Sequence, residues 1–422
     1  MRWPTRQAAS TPYSSMLQSA KLRFDVPIPP RPIVVFGDDW GRHVSTTQHI
    51  FRRLSQAHPV VWLNAINHRT PKLSLYDARR AVGKVMQMAR SRSAGKDAEP
   101  VHSAASEADA AAPARIIPPR ILPWHNVGLV RRLNTHSLLK DIRNALTETS
   151  SASRPVLVTA TPAIPDVVRR LDACVKIYLC LDDYSEIQGV DKDLVLPLEH
   201  ETLGAVDAVV ATAKSLLATK RASSGRGFYL PQGVNYDHFA TRQPLPPDLA
   251  AIPRPRIGFA GDLALRCDLD LLRDLALSHP EWSVVLVGPI NVDVSSLALP
   301  NIHILGNRPY RDLPAYVQGF DVGIVPYLLN AWTRAVDPLK TLEYLAAGIP
   351  VVSLALPEIY KYSPPVRVAR GHKEFIDAVQ NALAEPATAV AARRALAREH
   401  TWERRASSFM QIIQDLEAAC AS

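Results

Sequence analysis

The run Thr333-Arg334-Ala335-Val336-Asp337-Pro338-Leu339-Lys340-Thr341-Leu342-Glu343-Tyr344-Leu345-Ala346-Ala347-Gly348-Ile349-Pro350-Val351-Val352-Ser353 carries the densest chemistry in the chain. Asp337-Pro338 reads as the cap of a helix, and a helix N-terminus bears partial positive charge. Lys340 adds a formal charge in the first turn, and Glu343, three residues on, shares its face. A helix end with a lysine suits an anion, and a carboxylate beside it suits a diol. Together they make the recognition pattern of a ribonucleotide pyrophosphate. An amphipathic helix with a surface Lys–Glu pair is the plainer alternative.

Two adjacent carboxylate pairs follow apolar runs. Asp182-Asp183 comes after Lys176–Leu181, and Asp38-Asp39 after Ile33–Phe36. Either pair is placed to take a proton from a hydroxyl, and mutual repulsion can raise one member's pKa as a general base requires. Asp183 is preferred, with Asp182 and Asp39 behind it; a capping or turn role is the alternative for each. His43 and Gln48, just after the first strand, are candidates to touch an acceptor or a sugar. Gly261, directly after Arg256–Ala260, could let a phosphate approach backbone. Asn307 and Arg308 follow Asn301–Leu305 and could border a base. Asp191-Lys192-Asp193 and Asp268-Leu269-Asp270 have the spacing of a metal-binding pair, but one lies in a turn and the other opens a helix. No metal site and no cofactor are expected.

These residues need elements that present them at strand ends. Pro32–Gly37, Val60–Leu63, Ile116–Leu122, Pro155–Thr159, Lys176–Leu181 and Ala208–Thr212 read as apolar strands, with helical periodicity between several of them. Strands that alternate with helices imply a parallel sheet covered on both faces. Residues 241–255 contain five prolines and read as a linker. A second series follows, with strands at Arg256–Ala260, Ser283–Val287, Asn301–Leu305, Val322–Val325 and Pro350–Ser353. The expected class is α/β: two doubly wound, Rossmann-like domains facing across a cleft. Residues 1–30 read as a disordered leader, 31–240 as an acceptor-binding domain with a disordered loop at 93–114, and 256–390 as the second domain. Residues 391–422 read as helix packing back toward the first domain.

Composition narrows the partners. The chain has 422 residues, 47% of them hydrophobic, so it can bury cores for two domains. The excess of 49 Lys+Arg over 40 Asp+Glu gives +9 and favours anionic partners. No basic patch interleaved with aromatics points to nucleic acid. Four cysteines (Cys174, Cys180, Cys267, Cys420) without CxxC spacing read as reduced thiols. No apolar run reaches the roughly 18 residues that span a bilayer. The leader lacks a secretory apolar block, so a cytoplasmic location is expected. Residues 69–92 are basic and helical in period. They read either as a solvated helix or as one lying on an anionic membrane surface at the inner face of the plasma membrane.

The run PLKTLEYLAAGIPVVS, with GNRPYRDLPAYVQGFDVGIVPY upstream and LPQGVNYDHFA before the linker, resembles the nucleotide-sugar-binding half of GT-B glycosyltransferases. It is most similar to the bacterial family-4-like group that builds cell-surface polysaccharides, and in outline to the glucuronosyltransferase of xanthan assembly. The resemblance covers about residues 155–385, and residues 32–70 more loosely. It implies that Lys340 contacts donor phosphate, Glu343 ribose, and Gly261 with Asp262 the phosphates or sugar, with Asn307 and Arg308 near the base and Thr333 in the same donor site. Many retaining members carry a second glutamate eight positions before the ribose glutamate; here that position is Ala335. The implied activity is transfer of a sugar, without a metal, from a UDP- or GDP-type donor to a hydroxyl of a lipid-linked or cell-surface glycan. Two other readings fit the same architecture: a nucleotide-sugar epimerase of the UDP-N-acetylglucosamine 2-epimerase type, and a non-catalytic nucleotide- or polyanion-binding protein.

Overall fold

Short blocks of Val, Ile, Leu and Phe without polar interruption can lie only in strands buried on both faces. A computed structural model of the chain describes residues 30–42, 44–66, 112–122, 124, 127–149 and 153–421. Almost all of the leader 1–30, the basic segment 69–92 and nearly all of the loop 93–114 lie outside the described residues. The first sheet contains β1 (Ile33–Phe36), β2 (Val60–Leu63), β3 (Arg115–Ile117), β4 (Val156–Thr159), β5 (Val175–Cys180), β6 (Ala208–Ala211) and β7 (Gly227–Tyr229). Their order is β3-β2-β1-β4-β5-β6-β7, all parallel. The expected strand Ile116–Leu122 stops at Ile117 because Pro118 and Pro119 have no N–H to continue the ladder.

The second sheet holds β8 (Arg256–Ala260), β9 (Ser283–Val287), β10 (Ile302–Gly306), β11 (Val322–Val325), β12 (Val351–Leu354) and β13 (Val366–Ala369). It runs β10-β9-β8-β11-β12-β13, again parallel throughout. The strand order reverses beside β1 in one sheet and beside β8 in the other. Such a switch point opens a crevice at the carboxyl ends of the strands. The chain is thus α/β, with two Rossmann-like domains.

The proline-rich stretch 241–255 is not a free linker. Leu249 and Ile252 are buried in the second domain's core beside Phe239 and Ile257. The chain crosses earlier, near Val234, and crosses back at Thr401. These two passages pair side by side: Val234 N–H donates to the His400 carbonyl at 2.8 Å, and Trp402 N–H to the Val234 carbonyl at 3.2 Å. The last helix, Trp402–Ala421, then lies on the first domain. Trp402, Phe409, Ile413 and Leu416 join Phe51, Trp62 and Val158 in one apolar cluster on that sheet's face. Phe51 meets Phe409 edge-to-face at 5.6 Å.

Candidate active site

The helix Leu339–Ala347 starts at Pro338, whose extended backbone precedes the first turn without any side-chain cap. The expected cap, Asp337, is used otherwise. It is buried, and accepts from Gln232 N–H at 3.0 Å, Lys361 Nζ at 2.6 Å and Tyr362 Oη at 3.1 Å. The first-turn N–H groups therefore have no side-chain cap. The helix ends at Gly348, whose φ of +88° closes it in the left-handed region.

Lys340 lies over Gly261: a Cβ built on that glycine would stand 1.9 Å from Lys340 Cε. Only glycine leaves the lysine its place. Gly288, after β9, backs the same turn, since a Cβ there would meet the Gly261 carbonyl at 2.0 Å. One turn further along the helix, the Glu343 carboxylate has no hydrogen-bond or ion-pair partner among the described residues. Burial raises its pKa, and the Lys340 charge offsets this in part. Two residues before it, on another side of the helix, the fully buried Thr341 hydroxyl is also unpaired. A half-buried carboxylate without a partner, one turn from Lys340 and near the end of β8, is the candidate ligand contact.

The neighbouring residues divide by how fully they are occupied. Asp262 accepts from Asn291 Nδ2 at 2.7 Å and, more loosely, faces Arg266 at 3.5 Å. Asn307 is exposed just past β10. Arg308 is committed elsewhere: it donates to Tyr316 Oη and to Asp248 at 2.8 Å each, which ties β10's end to the proline-rich stretch. Thr333 is fully buried, donating to the Leu328 carbonyl and accepting from Asn330 N–H, so its hydroxyl serves the loop rather than a ligand. Ala335, two residues on, sits in the apolar core of the first domain. A glutamate there would be buried in that core, at a desolvation cost that alanine does not carry.

Across the cleft, the two aspartates after β5 have separate fates. Asp183 caps the turn Tyr184–Glu186, accepting from Ser185 N–H and Oγ, and it pairs with Lys220 at 3.1 Å. Desolvation pulls its pKa up, but the Ser185 bonds and the Lys220 charge outweigh it and hold the carboxyl below the usual range. These bonds give Asp183 the part of a structural anchor. Asp182 instead faces the second domain and accepts from Trp332 Nε1 at 3.2 Å. Desolvation pushes its pKa up to about 6; the Trp332 bond and the Arg266 charge restrain the rise. Arg266 lies about equally over Tyr327 and Trp332, 5.3 Å from each ring centre.

The loop after β1 is internally bound. Asp38 accepts from Ser45 Oγ and Gln48 Nε2 at 3.0 Å each, and Gly41 N–H donates to Gln48 Oε1. Asp39 pairs with Arg42 and accepts from Ala65 N–H. Gln48 is therefore a brace for this loop. His43 lies outside the described residues. Sequence reasoning missed Trp332, Arg266 and Lys361. Each meets its partner only through the tertiary fold, although Arg266 stands five residues after Gly261 and could have drawn notice.

Residues 268–411 match a family model described as glycosyl transferase-like. A protein named provisionally as a teichuronic acid biosynthesis glycosyltransferase, TuaH of Bacillus subtilis (strain 168), is 34% identical over 183 residues, which is 40% of this chain and 46% of that protein. The chain thus aligns with about half the length of that relative. Sucrose-phosphate synthase from Thermosynechococcus elongatus superposes with a TM-score of 0.64 at 16% identity, over 92% of this chain and 100% of that one. HepE of Anabaena, solved with UDP and glucose, gives 0.60 at 10% identity over 90% and 99%. Two parallel sheets, each with a switch point in its strand order, and these structural neighbours make this a chain of the GT-B fold, whose residues 268–411 match the glycosyl transferase-like model.

Proposed function

We propose that the protein is a glycosyltransferase that moves a sugar from a nucleotide-diphosphate donor to a hydroxyl of a lipid-linked or cell-surface glycan. The observation that carries this reading is the unpaired Glu343 carboxylate one helical turn from Lys340, above a glycine that only an uncluttered backbone can fill. The diphosphate lies over Gly261, neutralised by Lys340 and the first-turn N–H groups of Leu339–Ala347, which is why the scheme calls for no metal. Ribose hydroxyls donate to Glu343. The acceptor binds the first domain, and its oxygen attacks the anomeric carbon as the bond to the diphosphate breaks. Asp182 takes the acceptor's proton. A carboxyl with a pKa near 6 is largely ionised at neutral pH yet basic enough for the task. Closure of the cleft excludes water from the reacting atoms.

The relative's name as a teichuronic acid biosynthesis glycosyltransferase supports a polysaccharide acceptor. No helix among the described residues is long and apolar enough to cross a membrane. A peripheral position on the inner membrane face, through the basic segment 69–92, completes the reading. The test is a thermal-shift panel of UDP, GDP, ADP, CMP and TDP on wild type, Lys340→Ala and Glu343→Ala. Ligands that bind only the native state raise its melting temperature by mass action. A diphosphate-selective rise that both variants lose is expected. No shift with any nucleotide would remove the donor site, and turnover of donor to a free isomer without acceptor would favour the epimerase.

A further inference from the structure

The helix that carries Lys340 and Glu343 has no cap of its own, and what fixes its start is a buried polar cluster built by both domains. Lys361 uses all three of its N–H donors, to Asp337 Oδ2 at 2.6 Å, Glu358 Oε2 at 2.9 Å and Tyr229 Oη at 2.8 Å. Tyr229 belongs to β7 of the first domain and itself donates to Glu358 at 2.6 Å. From the same side, Lys214 N–H donates to Glu358 Oε1 at 2.6 Å, and Gln232 N–H to Asp337. Arg405, on the last helix, donates to the Gln232 carbonyl at 3.0 Å.

Stability does not explain this arrangement. Two carboxylates and a lysine withdrawn from water cost several kcal/mol of desolvation each, and apolar residues of similar volume serve a core as well or better. What the cluster supplies is one geometry. Its donors and acceptors are matched, and Asp337 stands three residues before Lys340 and six before Glu343.

We propose that Lys361 and Tyr229 are positioning residues for donor binding, holding Asp337 so that the seating of the first domain sets where Lys340 and Glu343 stand over Gly261. This rests on the reading above that Glu343 and Lys340 hold the donor. It makes donor affinity a property of both domains.

The experiment is a double-mutant cycle on the full chain, with UDP as probe and calorimetric Kd as readout. Variants are Tyr229→Phe, Glu343→Gln and both together, with Lys361→Met as a stronger perturbation and melting temperature recorded for each. Tyr229→Phe removes one hydroxyl and keeps the ring, so it folds even where Lys361→Met does not. The expected result is a 3- to 10-fold weaker Kd for Tyr229→Phe in the wild-type background and a smaller loss in the Glu343→Gln background, where only the Lys340 contact is left to position. Additive losses in the two backgrounds, or an unchanged Kd in Tyr229→Phe, would overturn the positioning role while the donor site stands. An unchanged Kd in Glu343→Gln would remove the donor reading and this proposal with it.

Discussion

Asp182→Asn should make the protein more stable at neutral pH, a direction opposite to most substitutions of buried groups. The Asp182 carboxyl is displaced from its ordinary 3.8 to about 6, chiefly by desolvation. At about 1.36 kcal/mol per pH unit this corresponds to a ceiling of about 3 kcal/mol. The residue is only partly covered in the cleft wall, and solvent screening reduces the expectation to about 1–2 kcal/mol. The sign follows from proton counting. Between roughly pH 4 and 6 the native state holds more of this proton than the unfolded chain, so stability falls as pH rises through that window. Below it the term vanishes; above it the penalty is complete. An asparagine Oδ1 still accepts from Trp332 but carries no charge to desolvate. Urea melts of wild type and Asp182→Asn at pH 4.5 and 7.5 measure the difference. Part of the penalty is already present at pH 4.5, so the variant should gain about 1 kcal/mol relative to wild type between the two, while sugar transfer is lost. Parallel stabilities at both pH values, or a variant weaker at pH 7.5, would refute the claim that this carboxylate is held at a cost.

Three further outcomes follow from particular contacts. Gly261→Ala sets a Cβ against the flexible end of Lys340 and 2.7 Å from Phe259 Cζ. UDP affinity should drop about tenfold while melting falls by only a few degrees, as calorimetry and a thermal melt would show. Lys220→Met strands the buried Glu199, which it meets at 2.6 Å, and should cost about 3–5 kcal/mol in a urea melt; Lys220→Met with Glu199→Gln should recover much of it. Phe409→Ala empties a fully buried ring site against Phe51, and the same melts should show a loss of about 3–5 kcal/mol.

The fold class was legible because parallel strands advertise themselves. Arg256–Ala260, Ser283–Val287 and Val60–Leu63 are uninterrupted or nearly uninterrupted apolar blocks, and a two-face burial leaves no other pattern available. The spacing of Lys340 and Glu343 was legible for a related reason: one helix fixes their geometry with no help from the rest of the chain. Asp337 was not. Its type and place before a proline suggest a cap, but its partners Gln232 and Lys361 lie 105 and 24 residues away. Asp182 and Asp183 show the same limit. Side by side in sequence they are interchangeable, and only Lys220 on one side and Trp332 on the other tell them apart.

The last helix has a consequence for anyone who would exchange the halves of two such chains. Phe409 and Leu416 complete the core of the first domain, although they are encoded after the whole of the second. A graft joined at a single point in the proline-rich stretch would leave one parent's sheet without its cover and give it the other parent's, with mismatched ridges. A workable chimaera needs two junctions, near Val234 and near Thr401, where the passing segments already lie hydrogen-bonded to one another. The second domain is in effect an insertion within the first, and its ends enter and leave through one narrow doorway.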